Sequence, residues 1–255
     1  MNKRLVAILI CFYVFMISYG QKHYVSMSTG NANQTLKNEL INYDVYKSGL
    51  SLFWQVSYSL KLESWKVDIR VEYNSAILQP IYQLENYVQN EVLADNYGLG
   101  VSAQRKLISK NKHELYLGTE FNFNSLSLKY KVTNQINQVN RQFVPYTYTT
   151  LFSAAPVAFY KYQLTNKHLF STNANISVFA VGKFPNANPR INQAQNQVMS
   201  FQNHLKFMGD ISYSYSLKEN VMVSPTFMLN YLKQSQPYLL QHYNRIYALR
   251  IGYKF

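Results

Sequence analysis

The sequence is poor in cysteine: its one copy, Cys11, lies inside an apolar segment at residues 5–17. The basic residues Lys3 and Arg4 precede that segment, and Ser18-Tyr19-Gly20 follows it with small residues at the −3 and −1 positions of a cleavage site. This arrangement is typical of a signal peptide, so we predict that residues 1–20 are removed. The domain at 21–255 then has no cysteine, which excludes disulfides and thiol chemistry.

Long apolar runs are also absent. The apolar segment at 5–17 is too short for a spanning helix, and no stretch of 18 apolar residues follows it. The sequence therefore excludes a helical membrane protein, and the part that remains after cleavage is long enough for one domain.

Acidic residues are scarce in the second half of the chain. Residues 121–255 contain 13 lysines and arginines but only two acids, Asp210 and Glu219. A basic region of this kind raises the question of nucleic acid, but export of the chain argues against such a partner. Acidic lipid headgroups and the phosphates of lipopolysaccharide are better candidates for counterions. The simpler interpretation, which we favour over a specific anion site, is that these lysines and arginines are solvated at the strand ends.

Strict alternation is what the sequence has in abundance. In the last nine residues, small or cationic residues alternate with apolar or aromatic ones, which are Tyr247, Leu249, Ile251, Tyr253 and Phe255. The same period of two predicts strands at 50–62, 65–74, 114–123, 206–216 and 221–231, and weaker ones at 22–30, 97–107, 146–163 and 168–183. An exposed apolar edge strand invites aggregation, whereas a closed barrel has no edge.

The connections between these segments are of two kinds. Short ones at 63–64, 109–112, 165–167 and 218–220 alternate with long ones at 31–46, 76–95, 124–145, 184–199 and 234–242. Barrels with tight periplasmic turns and longer outer loops have this pattern. Counting back from the C-terminal strand gives ten strands, and eight or twelve stay open.

Alternation alone does not say which face points inward, because a soluble lipocalin-like barrel also alternates, with its apolar face in the core. Three features favour a transmembrane antiparallel up-and-down β-barrel. Of the 23 tyrosines, 21 follow residue 20, many of them near strand ends; the polar face carries repeated charges; and the last strand ends on Phe255. On this interpretation, arginine at Ile251 should impair insertion more than arginine at Gly252.

These features together resemble the OmpA-like and porin-like outer-membrane β-barrel families common in Bacteroidota. The resemblance is one of pattern over the whole domain, and the specific part is the ending Arg250-Ile251-Gly252-Tyr253-Lys254-Phe255. It implies that Tyr247, Leu249, Ile251, Tyr253 and Phe255 form the signal read by the barrel-assembly machinery, and that the protein is located in the outer membrane of a Gram-negative cell.

A polar inner face would place a set of charged residues in the lumen. The candidates for a lumen or constriction role are Asp68, Arg70, Glu72, Glu120, Lys206, Asp210 and Arg250. Acids concentrate on the strands near Asp68 and Glu120 and bases on the others, so the two groups would face each other across the interior. Either they fill the lumen as ion pairs or they impose a transverse field on a small pore. The modest width of a ten-stranded barrel favours the filled lumen.

Catalytic and metal sites have little support in the sequence. His204 and Asp210 share a face but are separated by roughly 20 Å of strand, which is too far for a hydrogen bond. His113, His168 and His242 have no evident serine partner, and the five histidines show no metal-ligand spacing. We therefore predict a non-enzymatic protein without a cofactor or a metal. Gly98 and Gly100 are interpreted as glycines that face a crowded lumen.

The long connections are the remaining functional candidates. Residues 134–142 and 192–197 are rich in asparagine and glutamine, with Arg141 and Arg190 nearby. Amides suit glycan hydroxyls and arginine suits phosphate or carboxylate, although such a composition is also typical of a simple hydrated loop. The leading hypothesis is a surface binding or scaffold barrel that acts through its outer loops, and the alternative is a small diffusion pore with a charged lumen.

Overall fold

A computed structural model describes residues 22–38, 42–49, 51–81, 89–133, 147–177, 179–184, 195–200, 202–235 and 239–255. The predicted signal peptide with its cleavage site, and the segment at 134–142, lie outside these residues. Within the described ranges, no helix is long and apolar enough to cross a membrane.

The described chain is all β. Its thirteen strand segments are β1 (Lys22–Asn38), β2 (Asn42–Ser48), β3 (Ser51–Lys61), β4 (Trp65–Pro80), β5 (Gln89–Lys110), β6 (His113–Thr133), β7 (Thr147–Gln163), β8 (His168–Ser177), β9 (Phe179–Phe184), β10 (Gln195–Met199), β11 (His204–Lys218), β12 (Val221–Gln234) and β13 (Leu240–Lys254).

All neighbouring segments pair antiparallel, and the first and last strands close the ring. β1 pairs with β13 over nearly all of its length, from Tyr24↔Lys254 to Asn38↔Leu240. β2 and β3 together occupy one position between β1 and β4. β8 with β9, and β10 with β11, each form one further position. The thirteen segments therefore occupy ten strand positions around the barrel, which confirms the prediction of a ten-stranded antiparallel barrel.

The two ends of the barrel differ. Four short connections, at 62–64, 111–112, 164–167 and 219–220, lie together with Lys22 and Lys254 at one end, which we call the turn end. Asn111 has a φ of 53°, as a two-residue hairpin turn requires. The opposite end is the loop end.

The predicted long connections are wrong in part, because the strands continue well into them. β1 extends to Asn38 and β6 to Thr133, and β10 occupies most of the C-terminal part of the predicted loop at 184–199. β5 and β6 have 22 and 21 residues. A tilted strand needs about 9–11 residues to cross a bilayer, so these strands extend far beyond the apolar belt.

Near the turn end, polar side chains point inward and apolar side chains point outward. On β1, Ser26 and Ser28 are buried while Met27 is 57% exposed. On β11, Ser212 is buried while Ile211 is 49% exposed. This is the arrangement of a barrel with a polar interior in lipid.

Toward the loop end the polarity inverts. On β1, Ala32 and Leu36 now point inward and are buried, while Asn33 is exposed. Twelve residues from nine strand segments form one apolar core there: Leu36, Tyr46, Ala76, Leu78, Val92, Ala94, Leu126, Leu128, Leu151, Ala180, Met199 and Leu240. We call this core the outer apolar layer. Outward-facing residues at the same level include Lys47, Gln79, Lys183, Lys233 and Arg245, with Ile77, Val181 and Val198 as apolar exceptions.

Candidate functional site

The structure places all seven predicted lumen residues on the inner face of the barrel. Arg70, Glu72, Glu120 and Lys206 lie at about mid-height, and we call them the central charged layer. Asp68, Asp210 and Arg250 line a cavity on the turn-end side of that layer. The predicted lumen residues thus share one interior but divide between two levels.

Arg70 is the centre of the charged layer. Its Nη2 donates to Glu120 Oε1 at 2.7 Å, and its Nε lies 3.6 Å from Glu72 Oε2. The same Nη2 is 3.8 Å from the sulfur of Met208, on β11. Because Arg70 belongs to β4 and Met208 to the far wall, this one side chain spans the interior.

Glu120 is held from two sides. Besides Arg70, it accepts a hydrogen bond from Asn175 Nδ2 at 2.7 Å. The side chain is 4% exposed, so both carboxylate oxygens have partners in a nearly dry environment. A buried carboxylate of this kind is stable only while it stays paired.

Two glycines on β5 make room for these side chains. A Cβ atom on Gly98 would lie 2.6 Å from Glu72 Oε1, and one on Gly100 would lie 2.8 Å from Glu120 Oε1. β5 lies between β4 and β6, so its inward positions must be empty for Arg70 to reach Glu120. The prediction of glycines facing a crowded lumen is confirmed.

The predicted division into an acidic and a basic wall is wrong in part. Bases of the acidic wall neutralise its acids locally: Lys66 Nζ is 2.7 Å from Asp68 Oδ2, and Lys61 Nζ is 2.8 Å from Glu114 Oε2. Lys66 and Asp68 are two residues apart on β4, so alternation already places them on one face. The pairing of Lys61 on β3 with Glu114 on β6 was not predictable, because alternation does not fix the relative heights of residues on different strands.

Above the charged layer, the interior is almost full. A cavity of about 40 Å³ lies between Glu72, Lys206 and Met208 on one side and Leu126 and Leu151 on the other. A cavity of that size holds about three water molecules at most. The outer apolar layer follows, in which Leu36, Leu78 and Val92 are completely buried. The loop-end half of the barrel therefore has the packed core of a soluble protein.

Below the charged layer, the interior is open. A cavity of about 530 Å³ extends from Arg70 and Glu120 to the turns at the turn end, and we call it the turn-side chamber. Its wall contains nine serines: Ser26, Ser57, Ser59, Ser102, Ser171, Ser212, Ser214, Ser216 and Ser224. The sequence analysis missed the chamber, although serine at inward positions of several strands near the turn end was a visible signal.

The histidines of the described chain mostly contact tyrosine. His23 Nδ1 is 2.8 Å from the hydroxyl of Tyr58, His113 Nδ1 is 2.7 Å from that of Tyr160, and His168 pairs with Tyr213. These pairs lie near the turn end, where tyrosine rings of membrane barrels meet the interface.

The two other histidines are buried toward the loop end. His242 Nε2 is 2.9 Å from Gln34 Oε1, and the ring nitrogens of His204 have no hydrogen-bond partner among the described residues. Within that part of the chain, no group of three or more His, Cys, Asp or Glu is placed to hold a metal ion.

The C-terminal strand presents its alternating residues to the outside. The predicted assembly-signal residues are 45–65% exposed, and they are Tyr247, Leu249, Ile251, Tyr253 and Phe255. Pairing with β1 and β12 satisfies the backbone of this strand on both sides, so its apolar face is free to contact lipid.

Comparison with known proteins supports the fold. No protein-family model matches the chain, and no curated protein does. Among solved structures, the outer-membrane protease OmpT from Escherichia coli is similar over 92% of this chain and 97% of its own, with 10% identity and a TM-score of 0.59. The transport unit of the autotransporter AIDA-I from Escherichia coli covers 94% and 92% of the two chains, with 11% identity and a TM-score of 0.45.

Neisserial surface protein A also matches, over 93% of this chain and 100% of its own, with 10% identity and a TM-score of 0.40. At these identities the likeness extends to the fold alone. The fold is that of an outer-membrane β-barrel, and one fold can host many unrelated functions, so the fold by itself does not select a function.

Proposed function

We propose that this protein is a closed, non-enzymatic outer-membrane barrel that acts as a surface binding or scaffold protein through the connections at its loop end. One observation carries the proposal. Two successive layers of buried side chains, the central charged layer and the outer apolar layer, occupy the interior between the turn-side chamber and the loop end. These two layers close the route through the barrel and leave the loop-end surface as the place where a partner outside the cell can bind.

The strand lengths support a protruding platform. The inversion of polarity means that the loop-end half has a polar outer face and an apolar core, as a water-soluble barrel does. About ten residues of β5 and of β6 remain after one bilayer crossing, which at the usual rise and tilt is a projection of roughly 25 Å. Connections at that end would be carried well clear of the lipid surface.

The composition of the loop-end connections suggests what they bind. Residues 134–142 contain six asparagines and glutamines together with Arg141. Amide groups hydrogen-bond sugar hydroxyls in both directions, and arginine pairs with phosphate in a bidentate manner. A phosphorylated glycan such as lipopolysaccharide combines both chemistries.

We propose a route to the membrane from two sequence patterns, the apolar segment at 5–17 and the alternation at 247–255. Residues 1–20 would direct export as a cleaved signal peptide, and the alternating strand that ends at Phe255 would be recognised by the barrel-assembly machinery. The same ending and the aromatic-rich strands support placement among the OmpA-like or porin-like barrels of Bacteroidota. The turn end would then face the periplasm.

A small diffusion pore is the second candidate, and the turn-side chamber is the observation that favours it. If the two layers above the chamber rearranged, the constriction would be formed by Arg70, Glu72, Glu120 and Arg250. A conducting barrel would show discrete current steps that depend on these charges.

The loop proposal is tested with the folded protein in lipid nanodiscs and purified lipopolysaccharide as the probe. We expect saturable binding by the wild type. Binding should be lost when residues 134–142 are replaced by a glycine-serine segment of equal length. The matched control replaces residues 82–88, a connection at the same end that has an acid and no arginine, and should bind as the wild type does. Absence of binding by the wild type, or equal binding by both variants, would contradict the proposal.

A further inference from the structure

The turn-side chamber exists because the side chains around it are small. In a narrow barrel, large inward side chains fill the interior, as they do in the outer apolar layer. Here the nine serines leave about 530 Å³ empty, a volume in the range of small-ligand sites. Several of the serines are fixed by pairing with one another: Ser26 with Ser57, Ser171 with Ser212, and Ser214 with Ser224, at 2.6–2.8 Å. The wall is thus both open and rigid.

The chamber is positively charged. Eight cationic and five acidic side chains line it, which leaves a net charge of +3. Glu114 and Asp68 are neutralised by Lys61 and Lys66, and Glu120 by Arg70. Asp210, at the inner end, lies in the field of the same Arg70.

Four cations of the wall have no carboxylate within ion-pair distance among the described residues: Lys22, Lys167, Lys254 and Arg250. Lys22 and Lys254 lie at the mouth of the chamber, on the adjacent strands β1 and β13. Cations placed there would attract an anion toward the interior.

Arg250 lies farther in and is oriented by its neighbours. Its Nε donates to Ser28 Oγ at 3.2 Å. In the described part of the chain, no other hydrogen bond involves its guanidinium. The ring of Tyr24 lies beside it, over Gly252, where a Cβ atom would come within 3 Å of the ring. A guanidinium held through Nε keeps its two Nη groups free, and these are the groups that bind phosphate or carboxylate in a bidentate manner.

We propose that the turn-side chamber is a binding site for a small hydroxyl-bearing anion, a sugar phosphate or a sugar acid, whose anionic group is bound by Arg250. The serine hydroxyls that surround Arg250 donate and accept hydrogen bonds and match the hydroxyls of a sugar. The central charged layer closes the inner end, so the ligand enters and leaves through the turn end. This site is separate from the loop-end connections and does not depend on what those connections bind.

The test is isothermal titration calorimetry of the folded chain in detergent micelles at low ionic strength. The probes are glucose 6-phosphate, glucuronate, inorganic phosphate and neutral glucose. We expect saturable binding of glucose 6-phosphate or glucuronate, with the preferred one identifying the anionic group, and weaker binding of inorganic phosphate and of glucose. Arg250→Gln should weaken binding at least about tenfold, because a charge-assisted bidentate contact is lost.

The control Lys233→Gln removes the same charge from the outer face at the loop end and should leave binding unchanged. Ser216→Leu fills the mouth of the chamber without a change of charge, and should block binding even if Arg250→Gln does not fold. The proposal is overturned if no sugar anion binds saturably, if glucose binds equally well, or if Lys233→Gln weakens binding as much as Arg250→Gln does.

Discussion

At the residue scale, the interior depends on a few places where a glycine without a side chain leaves room for a long side chain from a neighbouring strand. Arg70 reaches Glu120 across an intervening strand only because Gly100 has no side chain there. The sequence allowed the glycines to be interpreted correctly, since both fall on the inward face of β5. It did not allow the partner of Arg70 to be chosen, because that depends on the stagger of three strands.

The first prediction concerns the buried carboxylate of this pair. Glu120→Ala should reduce the free energy of unfolding by about 3 kcal/mol, because Arg70 and Asn175 lose their shared partner in a nearly dry site. The measurement is a urea titration of the barrel in detergent or lipid vesicles. Glu219→Ala, at an exposed turn, removes the same charge and should change stability little. Equal stability of the two variants would show that the Arg70–Glu120 pair does not hold the layer together.

A second residue-scale case corrects a sequence-based expectation. Gly252 points inward, so on charge grounds arginine there should be tolerated better than at Ile251. The structure places the ring of Tyr24 directly over Gly252, and any side chain at this position displaces that ring. We therefore expect Gly252→Ala to lower stability too, and a fair comparison of the two faces needs another pair of residues.

At the element scale, the inversion of polarity along the strands explains what the sequence predicted and what it did not. The alternation with a period of two identified the parts of the strands that cross the membrane, where apolar residues point outward. Beyond the belt, β1 continues with Asn33 outward and Leu36 inward, so the pattern changes sign while the backbone pairing continues. If apolar residues are expected to point outward along the whole strand, these extensions are mistaken for loops. The two alternatives that the sequence left open, a membrane barrel with a polar interior and a barrel with an apolar core, are therefore both present, one in each half of the molecule.

Adjacent residues at the midpoint of β11 test the face assignment. Ile211→Arg should lower the folding free energy in vesicles by about 2–4 kcal/mol, because a charge is placed on the lipid face near the bilayer centre. Ser212→Arg faces the chamber and loses one hydrogen bond to Ser171, a cost of about 1 kcal/mol. Denaturant titrations of both variants in the same vesicles give the comparison. A larger loss for Ser212→Arg would reverse the assignment of inside and outside.

The two tryptophans of the chain test where the membrane lies along the strands. Trp54 packs at a tilt against Tyr73, which in turn packs against Tyr97, while Trp65 lies next to a short turn. We expect each to lie at one interface, with the apolar belt between them. In the single-tryptophan variants Trp54→Phe and Trp65→Phe, quenching should be stronger with lipids brominated near the headgroup than with lipids brominated near the chain end. Deep quenching of Trp54 would place the loop-end half in the bilayer and contradict the protruding platform.

At the scale of the whole molecule, the interior has three levels: an open polar chamber, a charged layer with one side chain that spans the lumen, and an apolar core. The number of strands and their antiparallel closure followed from the sequence, since short and long connections alternate and the count comes out even. The levels did not follow, because the filling of a barrel depends on the summed volume of side chains from different strands at one height. Each level has its own consequence: ligand access from one end, rigidity in the middle and a solid platform at the other end.

The measurement that tests this account most directly is single-channel conductance of the folded protein in a planar bilayer, with folding verified by heat-dependent gel mobility. A barrel closed by the central charged layer and the outer apolar layer should insert and remain electrically silent at moderate voltage. Discrete, reproducible current steps from the folded protein would contradict the closed interior and would make Arg70, Glu72, Glu120 and Arg250 the lining of a pore.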